Sequence, residues 1–298
     1  MLLSDCRFPS ICALVLSLAL APLSAGNALA RVADAVEAPA FVQALAAAAS
    51  KDEVIADWYR AHDYQTLWTG AGDADRRSAL LAALATAGDH GLPVARYDAD
   101  ALRAILTAAR TEGDRGRAEV ALTRAYLAWA HDLTSGALAP VDVDSGILRD
   151  IAVIDPAVLL SRMASGEPQV VLDWLLPKSS AYLNLMKAKI ELEMDLAAGG
   201  WGPLVAASTL APGDSGPDVI ALRDRLVRMG YLSPSATAVY DRVIEAAVLD
   251  FQLNHGLTTD GVANEGTIAE VNKGPEDRLK SVIVALERER WMHHDRSA

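Results

Sequence analysis

Cysteine is nearly absent from this 298-residue sequence, and its two cysteines, Cys6 and Cys12, both lie close to the N-terminus. If the first 30 residues are removed as a targeting segment, the mature chain has no thiol. Disulfides, thiolate nucleophiles and cysteine-ligated zinc are then excluded, because each of them needs a cysteine side chain.

A surplus of basic residues is also missing, since 27 Lys and Arg stand against 39 Asp and Glu and the net charge is −12. Nucleic-acid phosphates are bound by clustered Lys and Arg, so we exclude nucleic acid as a partner. Aromatic residues make up only 5% of the chain, β-branched runs are scarce, and Ala and Leu dominate. This composition predicts a mainly α fold.

The sequence has no apolar run that is long enough to span a membrane, which takes about 20 residues. Residues 11–20 are apolar, and Ala28-Leu29-Ala30 follows as a small-x-small cleavage site. This combination is typical of a secretory signal peptide. We therefore predict a signal peptide over residues 1–30, export to the periplasm or cell envelope, and no membrane span after cleavage.

Helical periodicity runs through residues 41–200. The predicted helices cover residues 41–62, 76–87, 100–110, 118–133, 156–165 and 179–198. Tyr126, Trp129 and Leu133 share one face of the fourth helix, which predicts a buried face. The last helix ends at Gly199-Gly200, a pair of glycines that marks a linker.

A second pattern follows in residues 213–272, where short amphipathic helices alternate with glycine turns. The apolar residues that share a helical face here are Val219, Leu222, Leu226, Met229, Ile244, Ala247, Val248 and Phe251. Asp241 and Asn264 stand where helix N-caps belong, and Gly256 stands where a helix-terminating glycine belongs. The pattern predicts a small helical module that is separate from the larger helical region.

The module resembles the three-helix peptidoglycan-binding domain of bacterial cell-wall enzymes. The residues that carry the resemblance are Gly213-Asp214-Ser215-Gly216, Gly230-Tyr231, Tyr240-Asp241, Phe251-Gln252, His255-Gly256-Leu257, Asp260-Gly261 and Thr267. The resemblance implies a peptidoglycan-binding domain over residues 210–274, with peptidoglycan as the partner. We call residues 210–274 the module.

The larger region resembles the N-terminal scaffold domain of large, multi-domain L,D-transpeptidases. The matching residues are Trp58-Tyr59, Tyr64, Trp68, His90-Gly91-Leu92-Pro93, Tyr97, Tyr126, Asp132-Leu133, Gly136, Pro140, Leu176-Pro177, Tyr182, Leu185 and Gly199-Gly200-Trp201. The resemblance implies a helical scaffold domain over residues 31–205. In that family a Glu-Arg-x-Arg-Trp helix returns to the scaffold and leads into the catalytic domain. Glu287-Arg288-Glu289-Arg290-Trp291 matches that helix, so residues 275–298 are predicted to return towards the scaffold, and the family's catalytic domain is absent from the sequence.

Other catalytic signatures are also missing. The sequence has neither Ser-x-x-Lys nor Gly-x-Ser-x-Gly, which serine acyl enzymes use, nor His-Glu-x-x-His, which zinc peptidases use. His293-His294-Asp295 is the densest group of metal-ligand types, but adjacent helical residues point away from one another. We predict no catalytic residue, no metal and no cofactor, and therefore no enzyme activity of the chain on its own.

Candidate binding residues flank the turns of the module. A wall glycopeptide offers amides, hydroxyls, carboxylates and sugar faces, which hydrogen-bonding side chains and aromatic rings can bind. The candidates are Asp214, Tyr231, Tyr240, Asp241, Gln252 and Asp260. The aspartates have helix capping or turn formation as their alternative role. The tyrosines have closure of the bundle edge as theirs.

The leading hypothesis is an exported, non-catalytic, peptidoglycan-binding part of an L,D-transpeptidase-like protein that works in cell-wall cross-linking. The chain is then either a truncated remnant or an accessory protein that positions a separately encoded catalytic domain. A remnant predicts an exposed apolar surface where the missing domain packed, and an accessory protein predicts a polar one. One alternative is a wall hydrolase, with two facing carboxylates or a desolvated acid in a pocket of the helical domain. Two others are a truncated remnant that does not bind the wall and a structural envelope protein that has no affinity for it.

Overall fold

A computed structural model describes residues 38–292 of the protein. Across this range the chain forms thirteen α-helices and two short 3-10 segments, and its only β-type pairings are two isolated bridges. The mainly α fold predicted from composition is therefore confirmed. The predicted signal peptide and His293-His294-Asp295 lie outside the described residues. Within residues 38–292, no helix has both the length and the apolar character that a membrane crossing requires.

The helices fall into three groups along the chain. The first nine are α1 (Ala40–Ala48), α2 (Glu53–Ala61), α3 (Ala74–Ala85), α4 (Ala99–Ala108), α5 (Glu112–Ser135), α6 (Pro140–Val143), α7 (Pro156–Ser165), α8 (Pro168–Leu175) and α9 (Ser180–Ala197). The module contains α10 (Pro217–Arg228), α11 (Arg242–Asn254) and α12 (Glu265–Val271). The last helix is α13 (Pro275–Arg290).

The single helix predicted over residues 41–62 is wrong, because the structure has two helices there. Arg124 of α5 donates to the carbonyl of Ala48 at 2.7 Å and also to the Asp52 carboxylate. This side chain thus joins the end of α1 to the start of α2. A tertiary contact from α5 overrides the local helical periodicity at this point.

The larger hydrophobic core surrounds α5. Tyr126, Trp129 and Leu133 are all buried in it, as their spacing predicts. Near the start of α5, Gly116 lets α1 come very close, since a Cβ there would lie 2.5 Å from the carbonyl oxygen of Phe41. Helix α5 therefore forms the axis around which the other helices of this core pack.

A buried carboxylate, that of Glu119 on α5, organises the segment after α2. One of its oxygens accepts hydrogen bonds from the Tyr59 hydroxyl at 2.8 Å and from the Leu67 amide at 2.5 Å. The other accepts from the Thr69 amide at 2.9 Å and the Thr69 hydroxyl at 2.7 Å. Burial raises the pKa of Glu119, although these donors act in the opposite direction. Glu119 therefore fixes residues 67–69 against α5.

The module has its own hydrophobic core, formed by its three helices and the segment that precedes them. Its buried side chains include Val205, Leu210, Val219, Leu222, Leu226, Ile244, Val248, Phe251, Ile268 and Val271. Arg225 is also buried, and its guanidinium donates to the carbonyls of Val271, Gly202 and Lys273 at 2.9, 3.2 and 3.3 Å. Arg225 thus ties α10 to the end of α12 and to the linker.

Helix α13 packs against α9 and reaches back to the larger core. Arg290 is buried and donates to the carbonyl of His90, to the Tyr182 hydroxyl at 3.3 Å and to Glu287 at 2.7 Å. The indole of Trp291 donates to the Leu138 carbonyl at 3.1 Å. These contacts explain why α13 ends on the surface formed by residues 90–91, 136–138 and 182.

Two glycines make this close approach of α13 possible. Gly91 has φ +68°, and a Cβ there would lie 3.3 Å from a methyl of Leu286. Gly136 has φ +95°, and a Cβ there would lie 2.5 Å from the indole nitrogen of Trp291. Both positions therefore need glycine for two reasons, the left-handed backbone and the space that α13 occupies.

The burial of His90 against α13 predicts that the folded protein loses stability in acid. Burial and the nearby Arg290 cation lower the pKa of His90 to about 4, from 6.5. The unfolded chain therefore takes up a proton near pH 6.5 that the folded chain does not take up until about pH 4. We expect the free energy of unfolding to fall by about 2–3 kcal/mol as the pH decreases across this window. Urea unfolding at several pH values measures this decrease.

The control for this prediction is His90→Gln, which removes the titrating ring. Between pH 6.5 and pH 4, the free energy of unfolding of this variant should decrease less than that of the unaltered chain. His62→Gln replaces an exposed histidine and should leave the profile unchanged. Equal pH profiles for the unaltered chain and His90→Gln would contradict the prediction.

Candidate binding site

The three aspartates predicted as ligands all shape turns or caps. Asp241 accepts from the amides of Val243 and Ile244 at 3.0 and 3.1 Å, so it caps α11 as its position predicts. Asp214 accepts from the Ala211 amide at 2.7 Å, and Asp260 accepts from the Val262 amide at 3.0 Å. The structure therefore gives each aspartate a local structural role.

The other predicted caps are also present. Asn264 accepts from the Thr267 amide at 3.0 Å at the start of α12. Gly256 has φ +66° just after the end of α11. The turn chemistry of the module thus follows from residue type and position.

Gln252 lies in the interior of the module and is fully buried, so no ligand reaches it in this structure. Its amide nitrogen donates to Asp260, to the Val262 carbonyl and to the Thr267 hydroxyl at 3.1, 2.9 and 3.1 Å. Its amide oxygen accepts from the amides of Asp260 and Gly261 at 3.1 and 3.0 Å. These contacts give Gln252 an internal role, in which it holds the 260–262 turn.

Tyr240 has a similar internal role. Its side chain is buried, and its hydroxyl donates to the carbonyl of Gly261 at 2.9 Å. Burial raises its pKa well above the usual range for tyrosine. Gln252 and Tyr240 therefore hold the 260–262 turn from two sides.

The internal hydrogen bonds of Gln252 predict that its replacement destabilises the module. In Gln252→Ala, two amides and one carbonyl of the 260–262 turn lose a buried partner, which costs about 2–3 kcal/mol of unfolding free energy. Chemical denaturation monitored by circular dichroism measures this loss. Leu253→Ala, an exposed change at the next position of α11, is the matched control and should stay within about 0.5 kcal/mol. Equal losses in the two variants would contradict the role given to Gln252.

Tyr231 is the candidate whose aromatic ring lies at an accessible site. It is half-buried, and its ring packs edge-on against Phe251 with the ring centres 5.2 Å apart. The His255 ring stacks on Phe251 with the ring centres 4.0 Å apart, and its centre also lies 6.0 Å from that of Tyr231. The His255 Nδ1 lies 2.8 Å from the Phe251 carbonyl, which can only accept, so Nδ1 carries a proton. In the neutral ring Nε2 is then an acceptor.

Tyr231 and His255 belong to a cleft of about 480 Å³ between the module and the α9–α13 pair. The module contributes Arg228, Met229, Gly230, Tyr231 and His255 to its lining, and the linker contributes Trp201. Helix α9 contributes Ala188, Glu191, Leu192 and Asp195, and α13 contributes Arg278 and Val282. This size lies in the range of small-molecule sites. The cleft therefore combines aromatic rings with charges of both signs.

Most residues of this cleft are not among the sequence candidates. Arg228 ends α10, and Tyr231 follows three residues later. This closeness along the chain is the sequence signal that could have pointed to Arg228. Glu191 and Arg278, by contrast, lie far away along the chain, and only the packing of α9 and α13 brings them to Tyr231. The site is therefore composite, with one wall from the module and one from the helices on either side of it.

Comparison with protein families finds two domains, in the same order along the chain as the sequence resemblance predicts. A family model described as a scaffold domain matches residues 53–188, and a model described as a peptidoglycan binding domain matches residues 215–270. The chain carries a scaffold domain followed by a peptidoglycan-binding domain. This pair is the one that the sequence resemblance predicts. No curated protein gave a significant match to the chain.

The two matched regions supply six of the twelve residues that line the cleft. The peptidoglycan-binding domain supplies Tyr231 and His255, and α9 begins within the matched part of the scaffold domain. Ala188 is the last residue matched by the scaffold model, and it lines the cleft. The candidate site therefore lies where the peptidoglycan-binding domain meets the helix that ends the scaffold domain.

Proposed function

We propose that this protein is an exported, non-catalytic, peptidoglycan-binding component of an L,D-transpeptidase-like system for cell-wall cross-linking. The main support for this proposal is the peptidoglycan-binding domain. Its accessible aromatic residue Tyr231 lines a cleft that also contains charged side chains. In this proposal residues 1–30 direct export, residues 31–205 form the scaffold domain and residues 210–274 bind the wall. Residues 275–298 return towards the scaffold, and the α13–α9 packing supports this part of the proposal.

A non-catalytic role agrees with the residues available. A cysteine transpeptidase attacks its donor peptide with a thiolate that a neighbouring histidine activates. The two cysteines of the sequence are Cys6 and Cys12, both within the predicted signal peptide. Binding and positioning are therefore the roles that we assign to the rest of the chain.

The hydrolase alternative receives little support from the carboxylates. Glu53 and Asp57 line a cleft of about 620 Å³, but both are exposed and lie one turn apart on α2, so they do not face each other across it. Glu119 is a desolvated acid, but its two oxygens accept hydrogen bonds from the segment that they hold in place. We therefore assign these three acids to the surface and to the architecture of the scaffold.

A second surface helps to distinguish a truncated remnant from an accessory protein. Leu138, Val141, Leu148 and Val153 are each more than half exposed, and they line a groove of about 550 Å³. Trp291 at the end of α13 bonds to Leu138, which lines this groove. An exposed apolar surface is what the remnant hypothesis predicts, so the groove supports that hypothesis over the accessory-protein hypothesis.

Retention on purified, insoluble peptidoglycan tests the proposed function. The test uses residues 31–298, with Tyr231→Ala as the site variant and the exposed change Leu253→Ala as its control. We expect retention of the unaltered chain, weaker retention of Tyr231→Ala, and no release of muropeptides into the supernatant. Absence of retention would overturn the proposal in favour of a structural envelope protein. Release of muropeptides would overturn it in favour of a hydrolase.

A further inference from the structure

We propose that the cleft beside Tyr231 binds the peptide stem of peptidoglycan, and that it holds a carboxylate on one wall and an ammonium on the other. This inference rests on the proposed peptidoglycan binding and specifies its ligand chemistry. The cleft has charges of both signs on walls from different parts of the chain. A peptide that carries both charges matches this arrangement, whereas a neutral sugar chain does not.

Arg228 provides the carboxylate side. The other two arginines of α10 are engaged, since Arg223 pairs with Asp224 at 2.6 Å and Arg225 binds carbonyls inside the module. Arg228 is exposed, and no hydrogen bond or ion pair within residues 38–292 engages it. A free guanidinium offers parallel N–H donors that match the two oxygens of a carboxylate.

Arg278 is the other cation of the cleft, but its guanidinium is already engaged in an ion pair. Its guanidinium lies 2.8 Å from Glu270, which also pairs with Lys273 at 2.5 Å. These two cations, with burial acting in the opposite direction, leave the pKa of Glu270 below its ordinary value. Arg228 is therefore the cation of the cleft that is open to a ligand.

Glu191 provides the ammonium side. It lies on α9 one turn before Asp195, and both residues line the cleft. Asp195 accepts from the Trp201 indole at 2.7 Å, so it fixes the position of that ring. Glu191 is largely exposed, and its ion pair with Lys187 is long, at 3.8 Å. Its carboxylate is therefore available to an ammonium group.

The aromatic residues between the charged walls fit a peptide backbone. His255 presents Nε2 as an acceptor for an amide N–H, because its Nδ1 donates to the Phe251 carbonyl. The half-buried ring of Tyr231 offers an apolar face to the side chains of small residues, and the buried Trp201 lines the same cleft. Peptidoglycan stems supply all of these groups, since they are short peptides with free carboxylates and a diamino acid.

Calorimetric titration of residues 31–298 with the tripeptide N-acetyl-L-Ala-γ-D-Glu-L-Lys tests the inference. Two derivatives complete the set, one with the lysine amine acetylated and one with the carboxyl groups amidated. We expect each modification to weaken binding to the unaltered chain by about fivefold or more. A tetramer of N-acetylglucosamine should not compete with the tripeptide.

The variants assign each charge to its wall. Glu191→Gln should bind the tripeptide about fivefold more weakly and should become insensitive to acetylation of the amine. Arg228→Gln should also bind the tripeptide about fivefold more weakly, and its binding should become insensitive to amidation of the carboxyl groups. Both residues are exposed, so the thermal unfolding of these variants should be unchanged. Glu276→Gln and Arg242→Gln are exposed controls outside the cleft and should bind as the unaltered chain does.

The outcomes separate this inference from the function on which it rests. Retention on insoluble peptidoglycan with no effect of acetylation or amidation would overturn the stem-peptide inference and leave the proposed function standing. Competition by the sugar tetramer would overturn the inference in favour of glycan recognition. Failure of retention on insoluble peptidoglycan would overturn both.

Discussion

Replacing Glu119 by Gln is expected to destabilise the scaffold domain by about 3–5 kcal/mol. The carboxylate accepts from the amides of Leu67 and Thr69 and from the Tyr59 hydroxyl, all in the protein interior. An amide at this position retains one accepting oxygen, and its NH2 group replaces the other. That NH2 group then faces amide donors, so buried N–H groups lose their acceptor.

Urea unfolding followed by tryptophan fluorescence measures this effect, because Trp58, Trp68 and Trp129 are all buried in the larger core. Glu112→Gln is the matched control, since it makes the same chemical change on the exposed start of α5. We expect the control to remain within about 0.5 kcal/mol of the unaltered chain. A loss of similar size in both variants would contradict the role given to Glu119.

Local chemistry could be predicted from the sequence because it depends on near neighbours. Asp241 and Asn264 cap the helices that their positions predict, and Gly256 has the left-handed backbone of a helix terminus. The burial of Tyr126 and Trp129 follows from their spacing on α5. In each case the signal lies within a few residues of the element that it specifies.

Contacts between distant segments could not be predicted in the same way. Gln252 was a candidate ligand-binding residue, because a polar side chain beside Phe251 needs a hydrogen-bonding partner. The 260–262 turn supplies the partner, and Gln252 is buried as a result. Glu119 had no distinguishing signal, because an acid inside a helical pattern is most often solvated. Its role depends on residues 67–69, about 50 positions earlier in the chain.

The resemblance to the scaffold family singled out residues whose role becomes clear only in three dimensions. His90, Gly91, Gly136 and Tyr182 were matched as separate pieces of sequence. In the structure they converge on the C-terminal helix, at Leu286, Glu287, Arg290 and Trp291. The matched residues thus form one docking surface for α13. His90 and Tyr182 bond to Arg290, while Gly91 and Gly136 leave room for Leu286 and Trp291.

Arg290→Met is the second change for which we expect a large effect, a loss of about 3–5 kcal/mol in the stability of the α13 docking. Arg290 is buried and donates to the carbonyl of His90, to Glu287 and to Tyr182. Methionine retains an unbranched apolar chain but offers no donor. It leaves the carbonyl and the carboxylate without their charged partner in a region shielded from water.

Hydrogen exchange of residues 275–290 measures this loss directly, because undocking of α13 exposes its amides. Arg288→Met is the matched control, since it places the same side chain on an exposed position of the same helix. We expect fast exchange of α13 in Arg290→Met and slow exchange in the control. Equal exchange rates in the two variants would contradict the docking role of Arg290.

The same variant links the scaffold to the proposed binding site. Arg278 and Val282 of α13 line the cleft beside Tyr231, although Arg290 lies at the other end of the helix. If α13 undocks, the cleft loses part of its wall while the core of the peptidoglycan-binding domain remains intact. We therefore expect Arg290→Met to bind the tripeptide more weakly while it retains the helical signal of the module. Unchanged tripeptide affinity together with fast exchange of α13 would mean that the module binds its ligand without this wall.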